Sequence, residues 1–410
     1  MKYLIIGNSI AAVGCIEAIR SRDTQGEITV VSDEKHHVYG RPTISYYLMG
    51  AIAAENMKYR PDDFYEKNKV SLILGVKATA IDAKKKNVTL SDGQKLDYDK
   101  LLVATGSRPF LPPAQGFDKV EKCFTFMTYD DMLALEGELS EDKKVVVIGA
   151  GLIGLKCVEG ILERVKEVTV VDLADRVLPS VMDAECAAYV QRHLEKKDVK
   201  FILGDCAESF TKNSVTLKNS KKTLDFDILV MAVGVRANTS LVADAGGAVG
   251  RGITVDTHMR TSLPDVYAAG DCAEGLDSSI GANRVLALLP NAYAQGKTAG
   301  LNMAGGDEEY LNAIPLNAVG FFGMHILSAG VYEGECYTVK DDEKIKKLFV
   351  KDGRLCGFIL IDDFLRAGIY TSLVREKTPL AGVDFEILKH APQLLAFGRE
   401  ARKAKLSKRV

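Results

Sequence analysis

Lys144-Val145-Val146-Val147-Ile148-Gly149-Ala150-Gly151-Leu152-Ile153-Gly154 is the stretch on which the reading of this chain turns. A run ending in four β-branched residues enters a Gly-x-Gly-x-x-Gly turn. Such continuous runs suit a strand buried on both faces, as in a parallel sheet. Apolar residues at helical spacing follow, and Val168-Thr169-Val170-Val171 reads as a second strand ending at Asp172. In a turn of this kind the first glycine makes the bend. The second lets backbone approach a pyrophosphate, and the third permits close helix–strand packing. Gly149, Gly151 and Gly154 fill those places, while Leu152 and Ile153 open a helix whose unpaired N–H groups favour negative charge. Asp172 lies 23 residues after Gly149, placed to hydrogen-bond a ribose 2′-hydroxyl. A carboxylate there repels a 2′-phosphate, so NAD(H) is expected over NADP(H). Arg176, four residues on, keeps NADP(H) open.

About 140 residues earlier the chain opens in the same way. Tyr3-Leu4-Ile5-Ile6 leads into Gly7-Asn8-Ser9-Ile10-Ala11-Ala12, and Glu27-Ile28-Thr29-Val30-Val31 reads as the next strand. This turn is degenerate: Ser9 replaces the middle glycine and Ala12 the third. Asp33 and Glu34 follow the second strand. Further on, Lys84–Leu90 and Gln94–Leu96 flank the turn signal Ser91-Asp92-Gly93, and residues 199–230 repeat that strand-rich pattern. From about residue 311 the style changes. Leu348-Phe349-Val350, a Gly353 turn and Leu355–Leu360 read as a β-hairpin. A helix is expected from about Phe364 to Arg375, stopping before Pro379. The expected fold class is α/β: two Rossmann-like dinucleotide-binding domains plus a C-terminal α+β domain. The expected boundaries are 1–110 with 239–310, 111–238, and 311–410.

The bulk numbers exclude several classes. The chain has 410 residues, 47% hydrophobic and 26% charged, with a formal net charge of −2. Nothing in that balance argues for nucleic acid or an anionic membrane. No stretch interleaves aromatic and basic residues as a nucleic-acid site does. No apolar run reaches the ~18 residues of a spanning helix, and the N-terminal run is too short for a signal peptide. A cytoplasmic location is the resulting expectation. The eight cysteines (15, 123, 157, 186, 206, 272, 336, 356) form no Cys-x-x-Cys pair and no cluster with metal spacing. They are expected to be buried, reduced thiols, and no metal site is expected. The adjacent His36 and His37 read as residues that cap or solvate a loop rather than ligate a metal.

Further segments carry a resemblance. Leu101-Leu102-Val103-Ala104-Thr105-Gly106-Ser107-Arg108-Pro109 resembles the Ala-Thr-Gly segment of the pyridine nucleotide:disulfide oxidoreductase superfamily, the flavoproteins with two dinucleotide-binding domains. Thr261–Asp271, ending Ala269-Gly270-Asp271, resembles their second FAD segment. Leu229–Asn238, with Val233-Gly234-Val235-Arg236, resembles the segment that closes their NAD domain. The motifs stand in the family's order across residues 1–306. The resemblance implies FAD at the first turn, held by Gly7, Ser9, Ala11, Ala12, Asp33, Glu34, Ala104, Thr105, Gly106, Arg108, Gly270 and Asp271. In the family that last aspartate hydrogen-bonds the ribityl chain. NAD(H) is implied at the second turn, with Val233 and Gly234 joining it. Within the superfamily, Phe321-Phe322-Gly323-Met324-His325-Ile326 and the run ending at Lys156 resemble NADH:rubredoxin reductases and NADH oxidases.

The segment Tyr39-Gly40-Arg41-Pro42-Thr43-Ile44-Ser45-Tyr46 is implied to approach the flavin. Relatives that work through a redox-active cysteine carry it where Pro42 stands here, and residues 39–60 contain no cysteine. The segment instead resembles the Arg-Pro-x-Leu-Ser-Lys stretch of ferredoxin- and rubredoxin-type reductases, which assigns Arg41 and Pro42 to FAD. Tyr46 replaces that lysine, and Lys156 replaces the glutamate that pairs with it. Lys156 is expected to supply positive charge near the flavin, with Glu159 one turn on as its partner and Tyr46 packing against the ring. The other reading of Lys156 is a solvated helix residue.

The expected activity is that of an FAD-dependent NADH oxidoreductase. It exchanges electrons between NAD(H) and a small acidic iron–sulfur carrier, rubredoxin or ferredoxin-like. Direct reduction of oxygen, as an NADH oxidase, is one alternative. A redox-sensing interaction module is another. A homodimer or a place in a larger redox complex is open. Arg399, Arg402, Lys403, Lys405, Lys408 and Arg409 make a basic tail, read as a solvated terminal helix or as a docking surface for an acidic carrier.

Overall fold

The computed structural model describes residues 1–407. Lys408 and Arg409 of the basic tail lie outside the described residues, as does the side chain of Lys405. The chain divides into two compact units, one of residues Met1–Val177, His193–Leu276 and Asn283–Leu311, the other of Leu178–Arg192, Asp277–Ala282 and Asn312–Val410.

The first unit holds two five-stranded sheets of the same design. In one, the order is Val266–Ala268, Lys100–Val103, Lys2–Ile6, Glu27–Ser32, Val70–Leu74, and every neighbouring pair is parallel. In the other, the order is Lys200–Leu203, Glu167–Asp172, Lys144–Ile148, Ile228–Met231, Cys123–Phe124, again all parallel. The apolar runs are buried almost without interruption, from Tyr3 to Ile6 and from Val145 to Ile148. Burial on both faces is what a parallel sheet demands of its sequence. Ile6 pairs with Val31 and Ile148 with Val171, so in each sheet the strand entering the glycine turn ends beside the strand that delivers the acid.

Each parallel sheet is accompanied by a small antiparallel one: Ala78–Asp82, Asn87–Leu90, Lys95–Asp97, and Ala207–Phe210, Ser214–Leu217, Thr223–Asp225. The expected strand Lys84–Leu90 begins only at Asn87, because Lys86 takes φ +53° in the tight turn before it. Ser107–Pro109 and Val235–Ala237 pair as a two-stranded ribbon.

Helix Ile10–Arg22 follows the first turn and lies against helix Leu289–Met303 through small residues. A Cβ on Gly14 would come within 2.4 Å of the Tyr293 carbonyl oxygen, and one on Gly296 within 2.0 Å of the Ala11 carbonyl oxygen. Only glycine at both places lets the helices approach this closely.

The second unit is built on an antiparallel sheet ordered Leu316–Phe321, Met324–Gly330, Arg354–Ile361, Ile345–Lys351, Glu335–Lys340. The predicted hairpin is present, and its turn residues Asp352 and Gly353 both take positive φ, +51° and +67°, as a tight two-residue hairpin requires. The helix expected from Phe364 starts at Gly368 instead. Arg366 sits at φ +58°, which a right-handed helix cannot run through, and Phe364 and Leu365 are exposed. Two adjacent lysines on the strand Ile345–Lys351 are buried with their counter-ions: Lys346 with Asp363 at 2.8 Å, and Lys347 with Asp183 at 2.6 Å and Glu185 at 2.7 Å. Helix Arg399–Ser407 carries the described part of the basic tail.

The thiols are unpaired, and Cys15, Cys157, Cys186 and Cys272 are buried as expected. Contrary to that expectation Cys123, Cys206 and Cys356 are only half-buried, and Cys336 is exposed on the edge strand of its sheet. Among the described residues no helix is long and apolar enough to cross a membrane.

Candidate functional site

The first turn is degenerate in sequence yet strict in geometry. Gly7 takes φ +109°, and a Cβ there would lie 2.1 Å from the Ala104 carbonyl oxygen. The position therefore admits only glycine. Ser9 caps helix Ile10–Arg22 with its backbone while its side chain makes no capping bond, which leaves the first-turn amides directed at the space above the sheet.

That space is a cleft of about 860 Å³. Gly7, Ser9, Ala11, Asp33, Glu34, Arg41, Ala104, Thr105, Gly106, Arg108, Gly270 and Asp271 all line it. Ala12 does not, being fully buried on the inner side of helix Ile10–Arg22. Pro42 does not either; it is exposed at the start of helix Thr43–Leu48.

The cleft is polar where a ribityl or ribose hydroxyl would need partners. Ser107 Oγ donates to Asp271 Oδ2 at 3.3 Å. Burial pushes the Asp271 carboxyl above its ordinary range, against the Ser107 hydrogen bond and the Arg41 charge. Thr105 donates its hydroxyl to the Asn238 carbonyl at 2.9 Å, the Asn238 amide returns a bond to the Thr105 carbonyl at 2.8 Å, and Arg108 holds Asn238 Oδ1 at 3.0 Å. At the other end Glu34 is a hub. Its Oε1 takes Arg41 at 2.5 Å and its Oε2 takes the Tyr39 hydroxyl at 2.6 Å. A tight glycine bend beneath open amides, with half-buried acids and hydroxyls along the walls, fits a dinucleotide such as FAD.

Some lining residues escaped the sequence. Asn238 ends the segment read as closing the NAD region, and Thr239 stands just past it. Val76–Thr79 carry no motif. Met127, Thr128 and Asp130 come from the start of helix Tyr129–Glu136. One signal was legible there: Thr128 and Asp131 form a capping box, a pattern visible as Thr-x-x-Asp.

The second turn meets the full glycine requirement. Gly149 takes φ +119°, and its Cβ would lie 2.3 Å from the Ala232 carbonyl oxygen; a Cβ on Gly154 would lie 2.0 Å from that of Gly149. Nothing stands within 4 Å of a Cβ on Gly151 or Gly234, so backbone faces open space at both. Asp172 accepts backbone N–H bonds from Ala150 at 2.6 Å and Ala174 at 2.7 Å. Arg176 pairs with neighbouring Asp175.

Lys156 and Glu159, on the helix that the second turn opens, come together with Tyr46 of helix Thr43–Leu48. Gly160 lets helix Leu152–Ile161 approach helix Thr43–Leu48, with 3.2 Å between its would-be Cβ and Ser45 O. Lys156 is paired with Glu159, and its ammonium stands 4.3 Å from the centre of the Tyr46 ring. The two side chains are 12% and 5% exposed, so Lys156 is not a solvated helix residue. None of the three lines the large cleft. Among the described residues no group of three or more His, Cys, Asp or Glu is placed to hold a metal ion.

Two parallel sheets, each with its own glycine turn and terminal acid, define an oxidoreductase of the class that binds FAD and NAD(H). The chain belongs to the pyridine nucleotide-disulphide oxidoreductase family, whose model matches residues 1–296. The epsilon subunit of the NADH-dependent phenylglyoxylate dehydrogenase of Aromatoleum evansii is 34% identical over 412 residues, covering 97% of this chain and 96% of that protein. An NADH oxidase of Methanocaldococcus jannaschii is 31% identical over 388 residues, covering 87% and 86%. A solved ferredoxin reductase from Rhodopseudomonas palustris has a TM-score of 0.86 and 25% identity, covering 92% of this chain and 95% of its own.

Proposed function

We propose that this enzyme takes electrons from NADH at FAD and passes them to a small acidic iron–sulfur carrier of the ferredoxin or rubredoxin kind, or runs that exchange in reverse. The observation that carries this reading is the Tyr39–Tyr46 segment. It contributes Arg41 to the cleft and Tyr46 to the Lys156 cluster, and no thiol. Without a cysteine at that place, disulfide or peroxide chemistry has no nucleophile to start from. FAD, when bound, supplies the conversion between two-electron and one-electron transfer.

The chain's own residues bind, orient and polarise. The amides after Gly7 and Gly149 receive the two pyrophosphates. Asp271 takes a hydroxyl of the ribityl chain, and Asp172 takes the ribose of NAD(H) and disfavours NADP(H). Lys156, fixed by Glu159 and the Tyr46 ring, contributes a fixed positive charge to the nicotinamide side of the reaction. On this basis residues 1–110 with 239–310 form the FAD domain and 111–238 the NAD domain, followed by the C-terminal domain from 311.

The relative that is a dehydrogenase subunit supports a place in a larger redox assembly. The NADH oxidase relative supports direct oxygen reduction as the second reading. One experiment separates the two. Purified protein is reduced with NADH under anaerobic conditions and offered rubredoxin, ferredoxin or oxygen in turn. Fast turnover with an iron–sulfur protein alone is the expected result. Fast oxygen consumption overturns it in favour of the oxidase. Slow turnover with every acceptor points to a sensing module. The basic tail is read as the carrier's docking surface. Deleting residues 399–410 should slow carrier reduction and leave ferricyanide reduction intact; equal loss of both rejects that role.

A further inference from the structure

The loop after strand Glu27–Ser32 and the segment 127–131 meet at one end of the large cleft. Asp33, Glu34 and Val76–Thr79 line that end, where the second strand of a Rossmann unit delivers its acid to an adenosine ribose. Met127, Thr128 and Asp130 line the same cleft.

Three links join the loop to that segment. Arg41 Nη1 donates to the Met127 carbonyl at 2.9 Å. The Tyr129 backbone N–H donates to the Tyr39 hydroxyl at 2.9 Å, and Tyr39 is only 9% exposed. His36 Nε2 meets Asp130 Oδ1 at 2.7 Å, with Asp130 66% exposed, and the His36 ring stands edge-on to Tyr129 at 4.7 Å. The first two links are anchored on Glu34, which grips both Arg41 and Tyr39. The third is the outermost and has no such anchor.

We propose that His36 and Asp130 are the closing link of a clasp over the adenosine end of the cleft, and that this link sets the rate at which FAD leaves. The inference rests on FAD being the occupant. Undoing the outer pair, which is ionic when His36 is protonated, opens the rim, while the Glu34 hub keeps the inner walls in register. An exposed pair of this kind is worth up to about 1 kcal/mol, or about fivefold in a rate. It weakens as salt screens it.

The test is a double-mutant cycle on FAD release from the holoprotein, followed by the rise of free-flavin fluorescence after dilution. At low salt and about pH 5.5, where an ordinary imidazole carries a second proton, His36→Gln and Asp130→Asn are each expected to speed release about fivefold, and the double variant to be no faster than either. Added salt should speed the wild type and leave the variants almost unchanged. His36→Lys, which keeps a cation opposite Asp130, should restore slow release. Wild-type rates in the single variants, effects that multiply in the double variant, or a His36→Lys rate equal to that of His36→Gln would each overturn the clasp. Protein that purifies without flavin absorbance overturns the functional reading itself, a different outcome from fast or slow release.

Discussion

Ala150 donates its backbone N–H to Asp172 Oδ2 at 2.6 Å, so the acid at the end of one strand is tied to the glycine turn at the end of its neighbour. The other carboxylate oxygen takes the Ala174 amide. Each oxygen keeps a further lone pair for a ligand. Asp172 is thus oriented before any nucleotide arrives, and the bond that orients it also shapes the turn. Asp172→Ala should raise the KM for NADH about tenfold, roughly one lost charge-assisted hydrogen bond, and narrow the preference for NADH over NADPH. Steady-state kinetics with both nucleotides will show it. An unchanged ratio would remove Asp172 from nucleotide selection.

The two glycine turns should fail separately. An alanine Cβ at Gly149 would lie 2.3 Å from a backbone oxygen, and one at Gly7 would lie 2.1 Å from another, both at positive φ. Backbone cannot yield as a flexible side chain does. Gly149→Ala should abolish NADH binding while the protein keeps its flavin. Gly7→Ala should yield protein without flavin. Flavin absorbance and NADH titration distinguish the two outcomes.

Lys156→Met keeps the length of the side chain and removes its charge. Flavin reduction by NADH should slow about a hundredfold, the lower end of what one preorganised donor or charge contributes at a reacting centre, with little change in NADH affinity. Stopped-flow measurement of flavin bleaching is the readout. The same rate in wild type and variant would leave the Lys156–Glu159–Tyr46 cluster a packing feature.

The second unit should carry an acid-sensitive lock. Hydrogen bonds from Lys340 and Lys347 pull the Glu185 carboxyl down from its ordinary 4.5 to about 2. A carboxylate with a depressed folded-state pKa binds fewer protons folded than unfolded. Its stabilising effect is complete above about pH 4.5 and disappears as the pH falls toward about 2. Glu185→Gln should flatten thermal stability across that window, costing most at neutral pH and little near pH 2. Replacing both Asp183 and Glu185 by amides leaves the nearly buried Lys347 without either counter-ion. That should cost about 3 kcal/mol or more.

The fold was legible where periodicity and glycine spacing act within about thirty residues. Both parallel sheets and the Gly353 hairpin follow from such local patterns. The start of the Phe364 helix was not legible, because Arg366 leaves the helical region with no glycine or proline to announce it. The motif residues of the site were readable because a glycine turn and its acid are fixed by one supersecondary unit. Val76–Thr79 and Asp130 were not readable. They reach the cleft through chain crossovers that bring distant segments together, and their residue types suit any polar loop. The Lys156–Glu159 pairing was foreseen from helical spacing. Its position over Tyr46 was not, since Gly160 brings that helix close only in three dimensions.

Cys336 stands exposed on the edge strand Glu335–Lys340, while burial pushes the Cys123 thiol up to about 11 and holds Cys15, Cys157 and Cys186 higher still.

 Cys336 is the one exposed sulfur of the eight, ahead of the half-buried Cys123, Cys206 and Cys356, and it lies on a strand far in sequence from either glycine turn. A maleimide dye placed there would mark the second unit at a single defined point. Since no thiol stands in the Tyr39–Tyr46 segment, the labelled enzyme should still bleach its flavin with NADH, so an optical reporter for carrier docking comes without any engineered cysteine.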